Sequence, residues 1–194
     1  GSCSEKAEIE FTIGTLNFKA SCNNLSWNAE VDLTSIAATA PTLSLIGRDR
    51  ANNESIEINR TLVKDNQRPV LSINTPANSY INFSNQSSYL VSGTCSEDID
   101  VSIEGSISDT VVCSSGVFSK NMNLSSLSDG TVNLKFKSVD VNGNPSLDRE
   151  LTLIKDTSVP AMTISTPANN AYVNISNVNA FTVSGSCSTG DTVE

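Results

Sequence analysis

Thr131-Val132-Asn133-Leu134-Lys135-Phe136-Lys137 is the stretch that decides the fold. Val132, Leu134 and Phe136 fall on one side of an extended chain, and Asn133, Lys135 and Lys137 on the other. A strand with one buried and one wet face needs that period of two, because successive side chains point to opposite faces of a sheet. Ser128-Asp129-Gly130 before it and Asn142-Gly143-Asn144-Pro145 after it are turn chemistry. Outward from this run, short segments rich in Val, Ile, Thr and Phe recur at 70–73, 80–83, 89–93, 101–104, 109–113, 116–124 and 147–154. Gly, Asn, Asp and Pro punctuate them, and Leu124-Ser125-Ser126-Leu127 reads as a loop or one helical turn. Seven or so short strands with frequent turns predict an all-β chain, an antiparallel β-sandwich.

The sandwich is expected to occur in tandem. Ile73-Asn74-Thr75-Pro76-Ala77-Asn78 returns as Ile164-Ser165-Thr166-Pro167-Ala168-Asn169, and Val91-Ser92-Gly93-Thr94-Cys95 as Val183-Ser184-Gly185-Ser186-Cys187. Gly1-Ser2-Cys3 is the same phrase a third time. The period of about 90 suits one small sandwich domain better than a short solenoid repeat. Three segments follow: 1–68, a repeat lacking its first two strands; 69–159, a complete repeat opened by Pro69; and 160–194, the first two strands of a further repeat, opened by Pro160. Residues 22–69 align without a gap to 113–160, with Trp27 opposite Phe118 as a core aromatic. The two broken ends are complementary, so residues 160–194 are expected to complete residues 1–68 of a neighbouring copy by strand addition. The other reading is that the boundaries trace part of a longer chain.

Aligned by repeat, Cys3 matches Cys95 and Cys187, and Cys22 matches Cys113. Cys3–Cys22 and Cys95–Cys113 are therefore expected to be disulfides within a repeat, with free buried thiols or metal ligation as the alternatives. The partner of Cys187 lies outside its own repeat segment. Disulfides imply an oxidising, extracellular setting. A net charge of −9 with no run of Lys or Arg argues against nucleic acid and anionic membrane as partners. No stretch approaches 18 apolar residues, so no membrane insertion is expected.

Lys155-Asp156-Thr157-Ser158-Val159-Pro160, Ser138-Val139-Asp140-Val141-Asn142-Gly143-Asn144, Val91-Ser92-Gly93-Thr94-Cys95 and Ser128-Asp129-Gly130-Thr131-Val132 resemble the bacterial Ig-like tandem repeats of large cell-surface and adhesin proteins. The resemblance implies tandem Ig-like β-sandwiches on the outside of a bacterium, serving as fibre, stalk or adhesive repeat. In the first repeat Asp49-Arg50-Ala51-Asn52-Asn53 lacks the Gly and Lys64-Asp65-Asn66-Gln67-Arg68-Pro69 lacks the Thr. Some relatives of this kind stiffen their junctions with calcium, which makes Asp65, Asp140 and Asp156, with Asp49 and Asp148 nearby, the calcium candidates.

No histidine occurs, which excludes the common nucleophile–base–orienter triads, and no Ser sits in a Gly-x-Ser-x-Gly elbow. No enzymatic activity is expected, and no cofactor beyond the calcium candidates. The expected partners are neighbouring copies or repeats, with the host or surface ligand open. The alternative function is an Ig-like module that binds carbohydrate or a host protein, for which Tyr80, Tyr89 and Tyr172 are the candidate aromatics.

Overall fold

The structure, a computed structural model, describes residues 1–37, 39–74, 76 and 79–188. The chain forms two compact units: residues 1–70 with 138–147, and residues 71–137 with 148–194.

The second unit has two facing sheets. One holds β5 (Leu71–Ile73), β7 (Tyr89–Cys95) and β10 (Val117–Met122) in the order β10-β7-β5. The other orders β6 (Tyr80–Ile81), β12 (Arg149–Lys155), β11 (Gly130–Ser138), β8 (Ile99–Gly105) and β9 (Asp109–Cys113) as β6-β12-β11-β8-β9. The ladders β10–β7, β5–β7, β11–β12 and β8–β9 are antiparallel. β6 lies parallel to β12, a departure from the all-antiparallel expectation. Its two residues reach β12 from a turn rather than through a hairpin, so nothing constrains them to run the other way. Inward residues of both sheets share one core: Leu71, Tyr89, Val91, Phe118 and Met122 from the first, Val101, Ile103, Val132, Leu134, Phe136 and Leu153 from the second. Phe118 meets Phe136 across the layers at 6.3 Å between ring centroids. The burial of β11 alternates as its sequence demands, with Val132, Leu134 and Phe136 inside.

The first unit repeats one of these sheets. β1 (Ala7–Ile13), β2 (Leu16–Ser21), β3 (Thr42–Asp49) and β4 (Ile58–Thr61) order as β2-β1-β3-β4, all antiparallel. Ile9, Phe11, Ile13 and Cys22 form its buried core, with Trp27, Leu33, Leu43, Leu45 and Leu62 packed against it. Trp27 lies 5.8 Å from Phe11 between centroids, in the core as expected. On the outer face, Lys19 bridges to Glu8 and Glu10, and Arg48 to Glu10 and Glu54. Hydrogen bonds to Glu10 and then Glu8 push the Lys19 ammonium up to about 12, but such exposed pairs add little stability.

β13 (Met162–Thr166) and β14 (Ser184–Cys187) form a separate two-stranded ribbon, and every residue of both strands is exposed.

Both units hold a lysine staple. Lys155 Nζ, on a residue only 3 % exposed, donates to Leu124 O at 2.9 Å, Ser125 O at 3.2 Å and Leu127 O. Lys64, 91 positions earlier (155 − 64), donates to Leu33 O at 2.7 Å, Thr34 O at 3.3 Å and Ile36 O. The ammonium satisfies three carbonyls of a turn that has no ladder partner, and so fixes the turn against the core. Lys155→Met should keep the packing stem and lose about 2 kcal/mol, because hydrogen bonds to charged groups carry the contact. Urea unfolding measures this; an unchanged midpoint would show that the staple contributes nothing.

Candidate functional site

The cysteines pair as Cys3–Cys22 and Cys95–Cys113. Cys95 ends β7 and Cys113 ends β9, while Cys22 directly follows β2 and Cys3 precedes β1. Cys187 is free and exposed. The glycine of the phrase has a packing reason: a Cβ at Gly93 would strike the Phe118 ring and Ser72 O. Gly1 stands in the same relation to the Trp27 ring. Ser2 bridges to Ser26, Cys3 N donates to Leu25 O at 3.1 Å and Trp27 N to Gly1 O at 3.0 Å. Gly1-Ser2-Cys3 thus fills the place that Gly93-Thr94-Cys95 fills in the second unit.

The aspartates named for calcium are built into turns. Asp140 accepts from Asn142 N at 2.9 Å, Asn144 N at 2.7 Å and Asn144 Nδ2 at 2.8 Å. Asp49 does the same with Asn53 N at 2.8 Å and Asn53 Nδ2 at 2.7 Å. Asp65 accepts from Gln67 N at 2.9 Å and Asn142 Nδ2 at 2.7 Å, and Asp156 from Ser158 N at 2.9 Å. These are Asx turns, in which the carboxylate replaces a backbone acceptor. Asn144 Nδ2 also donates to Asp65 O at 3.3 Å, so the segments carrying Asp65 and Asp140 meet through the Asn142 and Asn144 amides. Asp148 pairs with Lys135 at 3.1 Å. Among the described residues no group of three or more His, Cys, Asp or Glu is placed to hold a metal.

The Asn144 side chain first, and backbone amides after it, hold the Asp140 carboxyl below the usual range. Asn53 does this for Asp49, and Lys120 for Asp109. A depressed carboxyl stabilises the fold above its ordinary pKa of about 4, and that stability is lost as pH falls through the lowered value. The melting temperature should therefore drop between about pH 5 and pH 2, and Asp140→Asn should flatten part of that slope. A melting temperature constant over this range would contradict the assignment.

Of the candidate aromatics, Tyr89 is corrected to a core residue, 4 % exposed. Its position in β7 points it inward beside Val91, and burial raises its phenol pKa. Tyr80 and Tyr172 are exposed, each immediately before an Asn turn.

The two units differ at one sheet edge. In the second unit β6 covers the outer edge of β12: Ile154 N donates to Ser79 O at 3.1 Å and Asp156 N to Ile81 O at 2.9 Å. Ile81 is fully buried in the core cluster with Leu124, Val132 and Leu153. In the first unit Leu62 N donates to Pro41 O at 2.9 Å and Lys64 N to Thr39 O at 3.0 Å. The alternate amides, Val63 N and Asp65 N, face the outer edge with no acceptor among the described residues. Beside them lies an apolar slot lined by Leu33, Ile36, Pro41, Leu62 and Val63. Leu62 is half-buried where its counterpart Leu153 is fully buried. The sequence alignment paired Lys64 with Lys155 but carried no sign of the staple or the slot, because both depend on which amides face outward.

No protein-family profile matches the sequence, and no curated protein matches it. Among solved structures, the chain is similar to one concerned with host cell surface retention of a 1.5-MDa bacterial ice-binding adhesin: TM-score 0.47 and 20 % identity, covering 100 % of this chain and 68 % of that one. It is also similar to a tetra-tandem repeat in the extending region of a large adhesion protein: TM-score 0.38 and 19 % identity, covering 88 % of this chain and 47 % of that one.

Proposed function

We propose that the chain is a structural repeat of an extracellular bacterial surface fibre, stalk or adhesin. Its sandwiches are linked head to tail by strands that cross from one repeat to the next. The observation that supports this most is the duplication of the whole supporting apparatus at one period: disulfide, glycine–aromatic contact, lysine staple and Asx turns. Such duplication keeps a frame constant from one unit to the next. The acidic charge keeps an array soluble and its units apart. Antibody raised against the chain should label intact cells of its source without permeabilisation. Labelling confined to permeabilised cells would refute a surface location.

A further inference from the structure

We infer that Asn142 is a site of spontaneous covalent modification: its side-chain amide is lost as ammonia, and its hydrogen bond to Asp65 becomes a pair of like charges. The inference goes beyond the structural role above and does not depend on where in the cell the protein sits.

Asn142-Gly143 is the sole Asn-Gly pair in the sequence. Both residues are exposed, and Val141 before them is 95 % exposed. Gly143 has a φ of 90°, and a Cβ there would meet nothing within 4 Å, so neither its own side chain nor a neighbour obstructs the approach to its backbone N. The same loop carries an internal contrast. Asn144 anchors the Asp140 carboxylate through its N and Nδ2, yet it precedes Pro145, which has no N–H with which to attack a side chain. In the equivalent turn of the first unit Ala51 stands where Asn142 stands (142 − 91 = 51), so that position has no amide to lose.

The step is a ring closure. Gly143 N gives up its proton and bonds to Asn142 Cγ; the Cγ–Nδ2 bond breaks, and Nδ2 leaves as ammonia. Water then opens the cyclic imide at either carbonyl, giving aspartate or, with the backbone rerouted through Cβ, isoaspartate. No oxidant or cofactor is consumed. The closed turn restrains the attack: Gly143 N donates to Asp140 O at 3.2 Å, Asn142 N to Asp140 Oδ1 at 2.9 Å and Asn142 Nδ2 to Asp65 Oδ2 at 2.7 Å. Reaction therefore waits on local opening, to which an exposed loop tip is prone. Its consequence runs one way. An ionised carboxylate at position 142 has no proton to donate and stands opposite Asp65 Oδ2, so the contact cannot re-form when the loop closes.

The test is mass spectrometry of the purified full chain during warm incubation in mildly alkaline buffer. The segment 138–149, which trypsin releases by cutting after Lys137 and Arg149, should gain one mass unit. Fragmentation should place the gain at Asn142, divided between aspartate and isoaspartate, with the other asparagines severalfold slower. Asp140→Ala, which frees Asn142 N, should speed the gain severalfold. An Asn142 that stays intact, or that changes no faster than Asn82 and Asn123, overturns the inference, and a rate unmoved by Asp140→Ala overturns the restraint by the turn. Asn142→Asp reproduces the product at an exposed position. It should melt about 2 °C below wild type, the scale of an exposed charge pair, and the deficit should vanish when Asp65→Asn is added. An equal deficit in both backgrounds overturns the like-charge contact. None of these outcomes bears on the cell-labelling test.

Discussion

Phe136→Ala is expected to lower the stability of the second unit by about 4 kcal/mol, the scale for truncating a fully buried aromatic. The ring is wholly inaccessible and sits between the sheets, facing Phe118 at 6.3 Å. Its removal deletes the transfer free energy of the side chain and leaves a void that the rigid ladders on either side cannot close. Leu45 occupies the same repeat position in the first unit and is half-buried, because among the described residues no second sheet faces the sheet of that unit. Leu45→Ala should therefore cost less than its buried counterpart, since part of the lost surface already meets water. Calorimetry of the two variants reads this as a large displacement of one transition against a small displacement of the other. Equal displacements would mean that the two units are equally closed in solution.

The second large effect is expected from Cys95→Ala with Cys113→Ala, at about 3 kcal/mol in the chain-entropy description of a loop this size. The cysteines are 18 positions apart. Most of the loss should come from the unfolded chain, which expands once the bridge is gone. The denaturant slope should then rise as the midpoint falls, because more surface is exposed on unfolding. A lower midpoint at constant slope would instead trace the loss to packing around Cys113, which is itself fully buried.

Much of the architecture was legible in the sequence, and for identifiable reasons. The alternation of Val132, Leu134 and Phe136 is a property of one strand and needs no partner to be read. The cysteine pairs followed from the repeat, because position within a period is itself spatial information. What remained hidden depends on neighbours that lie far along the chain. Tyr89 looked like a candidate ligand platform until β7 placed it beside Val91 under the second sheet. The parallel course of β6 is set by two residues, too few to carry a direction in their composition. The staple was hidden for another reason: Lys155 ends β12 and Lys64 lies beyond β4, and solvent is the ordinary destination of a lysine there. Only the turn carbonyls of Leu33 and Leu124 convert them into internal supports. Nor does composition say that Asn53 and Asn144 will turn their amides toward Asp49 and Asp140.

The Cys95–Cys113 bridge has a mechanical consequence as well. A folded chain lengthens under tension when a unit gives way, and the slack it releases is the contour of the chain that comes free. Here the segment between the two cysteines, 18 positions, stays locked when the rest of the unit has pulled out. At roughly 3.4 Å per extended residue that withholds about 60 Å of length. Under load the chain would thus yield in shorter steps while oxidised, and its extended length would depend on the redox state of its surroundings.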